Sequence, residues 1–420
     1  MRIGIVVSTL LAAAGIARAQ TPNCEDDAAV GPNRVYIQAA DTQVPLLKAL
    51  GVKLRAQATP ITIIYTPNGS CSNISYLYGN ADFTPNATGG GTFYIPSASF
   101  DPKTTPPTCT PPAAGSGKKA DLGISIVFPD NVDCPTAPAK PSTVAVTPGP
   151  VQAMVFAVPG GVGTSTGSTQ TTITAEEAYL VAGLGPMSAM VAPWNDPQYF
   201  YGRPASKGTQ ISIGGNIGVP ASKWQLMMDP QHQIDQSSAV ATAIAAQAST
   251  GNAEKTLGIL GAEVYDPARA MIHSLAFRAF KQQKSYWPDS APTAFDKRNV
   301  RDGHYPIWSF VQYLAPQAAG GGALNPNAQT IIDMLVGNTV TTTPAFEPLD
   351  LVISAGLVPA CAMKVTRSAE GGDLAPMTPA QPCGCYYESK VPMGSTMCTA
   401  CTDSSTCGAG MCRHGYCEAK

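Results

Sequence analysis

The distribution of cysteine sets the first limit on how this chain can fold. Cys24, Cys71, Cys109 and Cys134 lie in the first third, and no cysteine occurs between Cys134 and Cys361. The other eight are Cys361, Cys383, Cys385, Cys398, Cys401, Cys407, Cys412 and Cys417. Seven of the twelve therefore crowd into residues 383–420. A piece of that size buries too little apolar surface to hold itself together, and cysteine cross-links replace the core it lacks. An even count points to disulfides in an oxidising compartment. The C-x-C and C-x2-C spacings in the tail also occur in zinc sites, but an exported chain favours a disulfide knot, read here as a stiff terminal cap. Cys361 joins the seven to make eight; spacing alone leaves the pairing open.

Export is indicated at the other end. Met1 and Arg2 precede an apolar stretch from Ile3 to Ala17, and Ala17-Arg18-Ala19 has the small-x-small form of a cleavage site before Gln20. Residues 1–19 thus read as a signal peptide. No later stretch approaches 18 uninterrupted apolar residues, so the expected product is a soluble monomer in the periplasm or at the cell exterior. Charged residues are only 13%, against about 25% in ordinary domains. The net charge is −2 and no Lys/Arg run reaches three residues. Nucleic-acid binding, which needs a dense positive footprint, is excluded. Four histidines (His232, His273, His304 and His414) give a histidine-based metal enzyme little to work with, and no cofactor is expected.

The body alternates strand and helix patterns. Arg34 to Ala39 (RVYIQA) reads as a strand. Residues 42–54 place Val44, Leu46, Leu47, Leu50 and Leu54 at helical spacing, with Pro45 in the first turn and Asp41 or Thr42 as cap. Strands follow at 61–65, 122–128 and 151–158, which makes an α/β fold. Residues 66–119, rich in Gly, Pro and Thr, read as an insertion pinned by Cys71 and Cys109, with Asn68, Asn73 and Asn86 starting N-x-Ser/Thr triplets in exposed loops. Thr174 and Glu177 form a capping box. Helices are predicted at 235–248, 253–260, 267–280, 307–314 and 328–336. Residues 368–382 read as a polar linker.

No phosphate-binding glycine loop and no H-E-x-x-H are present. Gly163, Ser165 and Gly167 match the G-x-S-x-G string, but Pro159-Gly160-Gly161 separates them from the preceding strand, where a nucleophile elbow needs strand, motif and helix in direct succession. A secreted serine hydrolase, with His273 or His304 as base, is the weakest functional reading. Two polar turns carry more. One is Ala39-Ala40-Asp41-Thr42, between a strand and a helix, where backbone N–H groups and a hydroxyl face outward. The other spans Gly202 to Thr209, where Arg203 offers a rigid fork of donors, Lys207 a point charge, and Ser206 and Thr209 hydroxyls.

In the order in which they occur, several stretches resemble the phosphate-type periplasmic solute-binding proteins. They are Val35–Leu50 (VYIQAADTQVPLLKAL), Ala120–Ser125 (ADLGIS), Val151–Pro159 (VQAMVFAVP), Ile173–Glu177, Trp194–Pro197, Gly202–Thr209 and Arg301–Ile307. The resemblance implies two α/β lobes joined by crossing strands: residues 34–155 with 305–365 as the first, and 156–304 as the second. The cysteine-rich module at 383–420 is additional. It also implies binding without catalysis, with a small polar or anionic ligand held between the lobes by Asp41, Thr42, Ser125, Arg203, Ser206, Lys207 and Thr209, and a membrane permease or envelope component as partner. The chain departs from the family at Ala205, where an aspartate is usual, at Lys207, where a serine is usual, and at Ile126, where an aspartate often follows the serine. Asp41 adds a negative charge to the opening turn. These changes turn the expectation away from phosphate itself. The alternative is an envelope or surface protein that uses the same scaffold for structural or adhesive contacts without a small ligand.

Overall fold

Strands buried on both faces need near-continuous apolar runs, and the chain supplies one at once. In the computed structural model, β1 (Arg34–Ala40) is buried at every residue except Arg34. The structure describes residues 21–84, 90–130, 133–134, 137–161, 163–184, 191–225, 231–318 and 321–419; the signal peptide expected at 1–19 and the triplet at Asn86 lie outside them. A 3-10 turn at Asp41–Gln43 leads into α1 (Val44–Arg55), which has proline in its first turn and buries Leu46, Leu47, Leu50 and Leu54. Neither Asp41 nor Thr42 caps it: the N-cap is Gln43, with no side-chain hydrogen bond.

The first lobe continues with β2 (Thr62–Asn68), α2 (Ser70–Tyr78), β3 (Phe93–Tyr94) and β4 (Leu122–Ser125). β1 runs parallel to both β2 and β4. β5 (Val144–Pro159) then passes from this lobe to the other. The second lobe holds β6 (Thr172–Thr174), α3 (Ala175–Leu184), β7 (Phe200–Tyr201), α4 (Gly208–Ile217), α5 (Ser237–Ala245), β8 (Leu257–Gly261), α6 (Ala262–Ala268), β9 (Ile272–Ser274), β10 (Ala276–Arg278) and α7 (Arg298–Arg301). β11 (Trp308–Pro316) returns to the first lobe, followed by α8 (Pro326–Val336) and α9 (Pro348–Ser354). Among the described residues, nine strands form one mixed sheet in the order β3-β2-β1-β4-β11-β5-β8-β7, with β9 also paired to β5. β5 pairs with β11 from Val144 to Ala153 and with β8 from Met154 onward. One long strand therefore belongs to both lobes. The main apolar cluster is likewise shared, running from Val35, Leu50 and Ile124 through Phe156 and Ile213 to Trp308 and Leu335. The fold is α/β and two-lobed, with a small cysteine-rich appendage.

The capping box at the start of α3 is closed in both directions: Glu177 N–H donates to Thr174 Oγ1 (3.1 Å) and Thr174 N–H to Glu177 Oε2 (2.7 Å). Three predicted helices are not helices. Residues 253–260 give a 3-10 turn and then β8; 267–280 give the end of α6, then β9 and β10; 307–314 give β11. In each, helical spacing is met by accident and sheet neighbours decide the outcome; 307–314 is buried throughout, whereas the other two segments keep exposed residues such as Lys255 and Met271. His273 consequently sits in a strand.

Six disulfides pair Cys24 with Cys109, Cys71 with Cys134, Cys361 with Cys383, Cys385 with Cys398, Cys401 with Cys412, and Cys407 with Cys417. Cys71 and Cys109 thus do not pair with each other, and the 66–119 region contributes α2 and β3 to the lobe itself. Asn68 and Asn73 are buried, with Asn73 Nδ2 donating to the Ile124 carbonyl (2.7 Å). The tail carries α10 (Gly384–Lys390) and the hairpin of β14 (Met411–Arg413) and β15 (Tyr416–Glu418). An earlier hairpin joins β12 (Val365–Thr366) to β13 (Ala375–Pro376). Among the described residues no helix is long and apolar enough to cross a membrane.

The Cys24–Cys109 bond ties the N-terminal arm to the body across 85 residues of sequence. Replacing both cysteines by serine is expected to cost about 2–5 kcal/mol of unfolding free energy, read as a lower urea midpoint with the other five disulfides intact by mass.

Candidate functional site

In open α/β sheets, ligand sites form where the carboxyl ends of parallel strands give way to helix starts. Here those ends come from both lobes and meet at one seam. From the first lobe come Asp41 after β1, Gly69 and Ser70 after β2, and Ile126 after β4; from the second come Arg203 after β7 and Glu263 after β8. The seam is tight. A Cβ on Gly208, the first residue of α4, would lie 2.7 Å from Ser70 Oγ and would run into Ile126. Ile211 packs into the apolar cluster of Ile74 and Val127.

Arg203 is fully buried. Its Nη2 donates to Asp41 Oδ2 and to the Asp235 carbonyl, both at 2.6 Å; its Nε donates to the Ile234 carbonyl (2.9 Å) and its Nη1 to Ser237 Oγ. Lys207 pairs with Asp235 Oδ1 at 2.9 Å. The Arg203–Asp41 and Lys207–Asp235 ion pairs are thus joined into one polar chain across the seam by the hydrogen bond from Arg203 to the Asp235 carbonyl. Asp41 supplies the carboxylate partner of the buried guanidinium.

The remaining expected residues divide. Thr42 and Thr209 are buried beside this chain, and neither hydroxyl has a hydrogen-bond partner among the described residues. Ser125 is buried but turned onto its own backbone, donating to the Val127 carbonyl (2.8 Å) and accepting from Val127 N–H (3.1 Å). The Ser206 side chain is exposed, while its carbonyl lies against Gly69.

Several buried polar groups at the seam carry no signal in the sequence. Gln38 accepts from Asn68 Nδ2 (2.5 Å), and Gln43 Nε2 donates to Gln152 Oε1 (2.6 Å). Among the described residues, Gln38 Nε2, Gln152 Nε2 and Ser212 Oγ have no partner, and the Glu263 carboxyl has none beyond its own backbone N–H. The Glu263 carboxyl and Gln152 Nε2 both lie against Gly261. Burial above all, helped by the nearby Asp41 and Asp266 and opposed by its own backbone N–H and by Arg203, pushes the Glu263 pKa up to about 8. Reading residues 253–260 as a helix hid Glu263. The useful signal was the short apolar run Leu257–Gly261 leading straight into Ala262 and Glu263, a strand followed by a helix start.

The chemistry available here is hydrogen bonding and charge pairing. Both ring nitrogens of His273 are engaged by main-chain carbonyls, Gly160 at 2.8 Å and Gln170 at 2.9 Å, and so cannot serve Ser165 as a base. His304 stacks on Tyr286 at 4.9 Å. The sulfurs of Cys401, Cys407 and Cys417 lie close together, but all three are in disulfides and offer no thiolate to a metal.

No family model matches the chain, and no curated protein matches it. Solved structures do resemble it. One, described as a phosphate ABC transporter substrate-binding protein with bound phosphate from Clostridium perfringens, has 10% identity and a TM-score of 0.49, covering 78% of this chain and 100% of its own. An ABC-type phosphate transport receptor from Vibrio cholerae has 12% identity and a TM-score of 0.46, covering 78% and 99%. A phosphate binding protein from Stenotrophomonas maltophilia has 12% identity and a TM-score of 0.40, covering 80% and 92%. Resemblance at this distance says nothing of the ligand.

Asp41→Ala is expected to lower stability by about 3–5 kcal/mol, because it strands a buried guanidinium; Asp41→Ala with Arg203→Met should recover most of that in urea denaturation. Glu263 gives a pH signature. Its pKa in the fold lies above its unfolded value of 4.5, so its favourable contribution is complete below about pH 4.5 and is lost as pH rises through about 8, at about 1.4 kcal/mol per pH unit. Glu263→Gln should flatten that fall, seen by comparing urea midpoints at pH 5 and pH 8.

Proposed function

We propose that this chain is a non-enzymatic, exported binding protein that holds a small polar solute at the seam between its lobes. The observation that carries this reading is the set of buried polar atoms on both sides of the seam that lack partners among the described residues: Gln38 Nε2 in β1, Thr42 Oγ1 in the turn after it, and Thr209 Oγ1 and Ser212 Oγ in α4. A buried polar group without a hydrogen bond costs about 1–3 kcal/mol, so a solute with donors and acceptors of its own gains by satisfying several at once. Six disulfides support an oxidising location outside the cytoplasm, and an uptake permease would be the natural partner. Residues 34–155 with 305–365, and 156–304, would be the two lobes, and Asp41, Thr42, Arg203, Lys207 and Thr209 the site.

Free phosphate is a poor candidate. It would have to displace Asp41 from Arg203, and the seam already holds Asp41, Asp235 and Glu263. A neutral or zwitterionic solute fits better. The second reading, a scaffold that serves structural or adhesive contacts without a small ligand, draws on the same ion pairs: Arg203 and Lys207 are both satisfied from within.

Differential scanning fluorimetry separates the two. The panel is phosphate, sulfate, molybdate, small organic anions, neutral polyols and amino acids. The wild type should shift with at least one neutral or zwitterionic compound, by the equivalent of about 2.7 kcal/mol at a hundredfold excess over Kd, and should ignore phosphate. Asp41→Ser should gain a phosphate response. A flat profile for both proteins would leave the scaffold reading standing and remove the solute-binding one.

A further inference from the structure

A polar stretch after the last body element is expected to hang free as a linker. The stretch read as a linker, residues 368–382, is instead seated on the body as part of a closed loop. Cys361 and Cys383 pair with each other and close a loop between them, and inside that loop β12 and β13 make a short hairpin. Lys364 pairs with Asp302 (2.8 Å), and its N–H donates to the Arg301 carbonyl (3.0 Å). Arg367 is buried, with its guanidinium 4.2 Å from the centre of the Trp308 ring. The tip of the loop then reaches the seam. The Glu370 carboxylate accepts from Phe128 N–H (2.7 Å), just past β4, and from Ser309 Oγ (3.1 Å) in β11. Both belong to the first lobe.

The other side of the same tip rests on the second lobe. A Cβ on Gly215, in α4, would lie 3.0 Å from the Glu370 carbonyl group. A Cβ on Gly371 would run into the Gly215 carbonyl oxygen, and Gly371 has a φ of +66°. Backbone meets backbone there because both positions are glycine. α4 is also the helix whose first turn presses on Ser70 and Ile126 across the seam.

We infer that the Cys361–Cys383 loop is a latch: its tip, Glu370 and Gly371, bridges the end of β4 and the start of β11 to α4 and holds the two lobes closed. The disulfide at its base and the hairpin limit the freedom of the loop before the tip is seated, so little ordering entropy opposes the contact. A second tie acts from the tail, where Arg301 donates to Glu388 Oε1 (2.9 Å) and to the Ala362 carbonyl (3.0 Å). The latch does not depend on any ligand at the seam. If a solute binds there, the latch sets how fast it enters and leaves, because opening must break the tip contacts first.

The test uses the full-length, fully oxidised chain. Gly371→Val and Gly215→Leu unseat the tip by collision from opposite sides, and Glu370→Ala removes its carboxylate; Asp373→Ala, exposed on the same loop, is the control. Hydrogen–deuterium exchange by mass spectrometry should show exchange at least about tenfold faster in segments 69–71, 126–128 and 206–212 of the three latch variants, the expected result of losing a charged hydrogen bond or its equivalent. Segments 384–390 and 411–418 and the control should be unchanged, and small-angle scattering should give a larger radius of gyration. Unchanged exchange at the seam, with faster exchange at 369–372 proving the tip unseated, would overturn the latch. Should either glycine variant fail to fold, Glu370→Ala decides alone: wild-type exchange at 126–128 and 206–212 in that variant would equally sink it.

Discussion

A guanidinium with no exposed surface must be paired where it stands, because stranding a buried charge costs about 3–5 kcal/mol, a large share of a domain's stability. Arg203 is such a group, and its carboxylate comes from the other lobe: Asp41, in the turn after β1. The closed arrangement follows from this pair. If the lobes part, Arg203 keeps its carbonyl and hydroxyl partners at Ile234, Asp235 and Ser237 but loses its counter-charge. On the proposed reading of the seam as a solute site, the pair also bears on what it can accept. A site built around an unpaired arginine would welcome an oxyanion, whereas one that carries its own carboxylate competes with it.

Apolar packing and the latch act on the same boundary. The main core cluster runs through both lobes, and α4 sends Ile211 into the cluster of Ile74 and Val127 on the far side. The Cys361–Cys383 loop adds hydrogen bonds to Phe128 and Ser309 beyond the edge of that packing. These contributions share residues of α4 and the end of β4, so their energies are coupled and do not simply sum. The cysteine-rich tail, which as a piece of sequence looks independent, is tied to the body by Arg301–Glu388 and by Tyr386 and Lys390 on Asp350.

Much of the fold was legible in local pattern. β1 and α1 follow from a buried apolar run and from leucines at helical spacing, and Thr174 with Glu177 marks the start of α3 through contacts only three residues apart. Local pattern misleads where helical spacing coincides with strands whose partners are distant in sequence. The spacing of Met271, Leu275 and Ala279 suits a helix, yet the segment is divided into β9 and β10 because β5 and β6 offer it strand partners. The same holds for 307–314, which lies between β4 and β5 as β11. Within the seam, the polar turns at 39–42 and 202–209 were visible, but Gln38, Gln152 and Glu263 were not: a glutamine in a strand looks the same whether it faces water or another lobe.

By itself, the sequence determined the quantities that depend on composition and short range. These are the abundance of cysteine at the C-terminus, the alternation of strands and helices, the scarcity of charge, and the two turns in which charge is concentrated. Only the tertiary structure decided which charges meet, which cysteines pair, and that a stretch resembling a linker is seated against both lobes. The physical reason is the range of the forces involved. Capping and helical periodicity act over a few residues, whereas the Coulomb and desolvation energies of Asp41 and Arg203 depend on 2.6 Å in space between residues 162 apart in the chain.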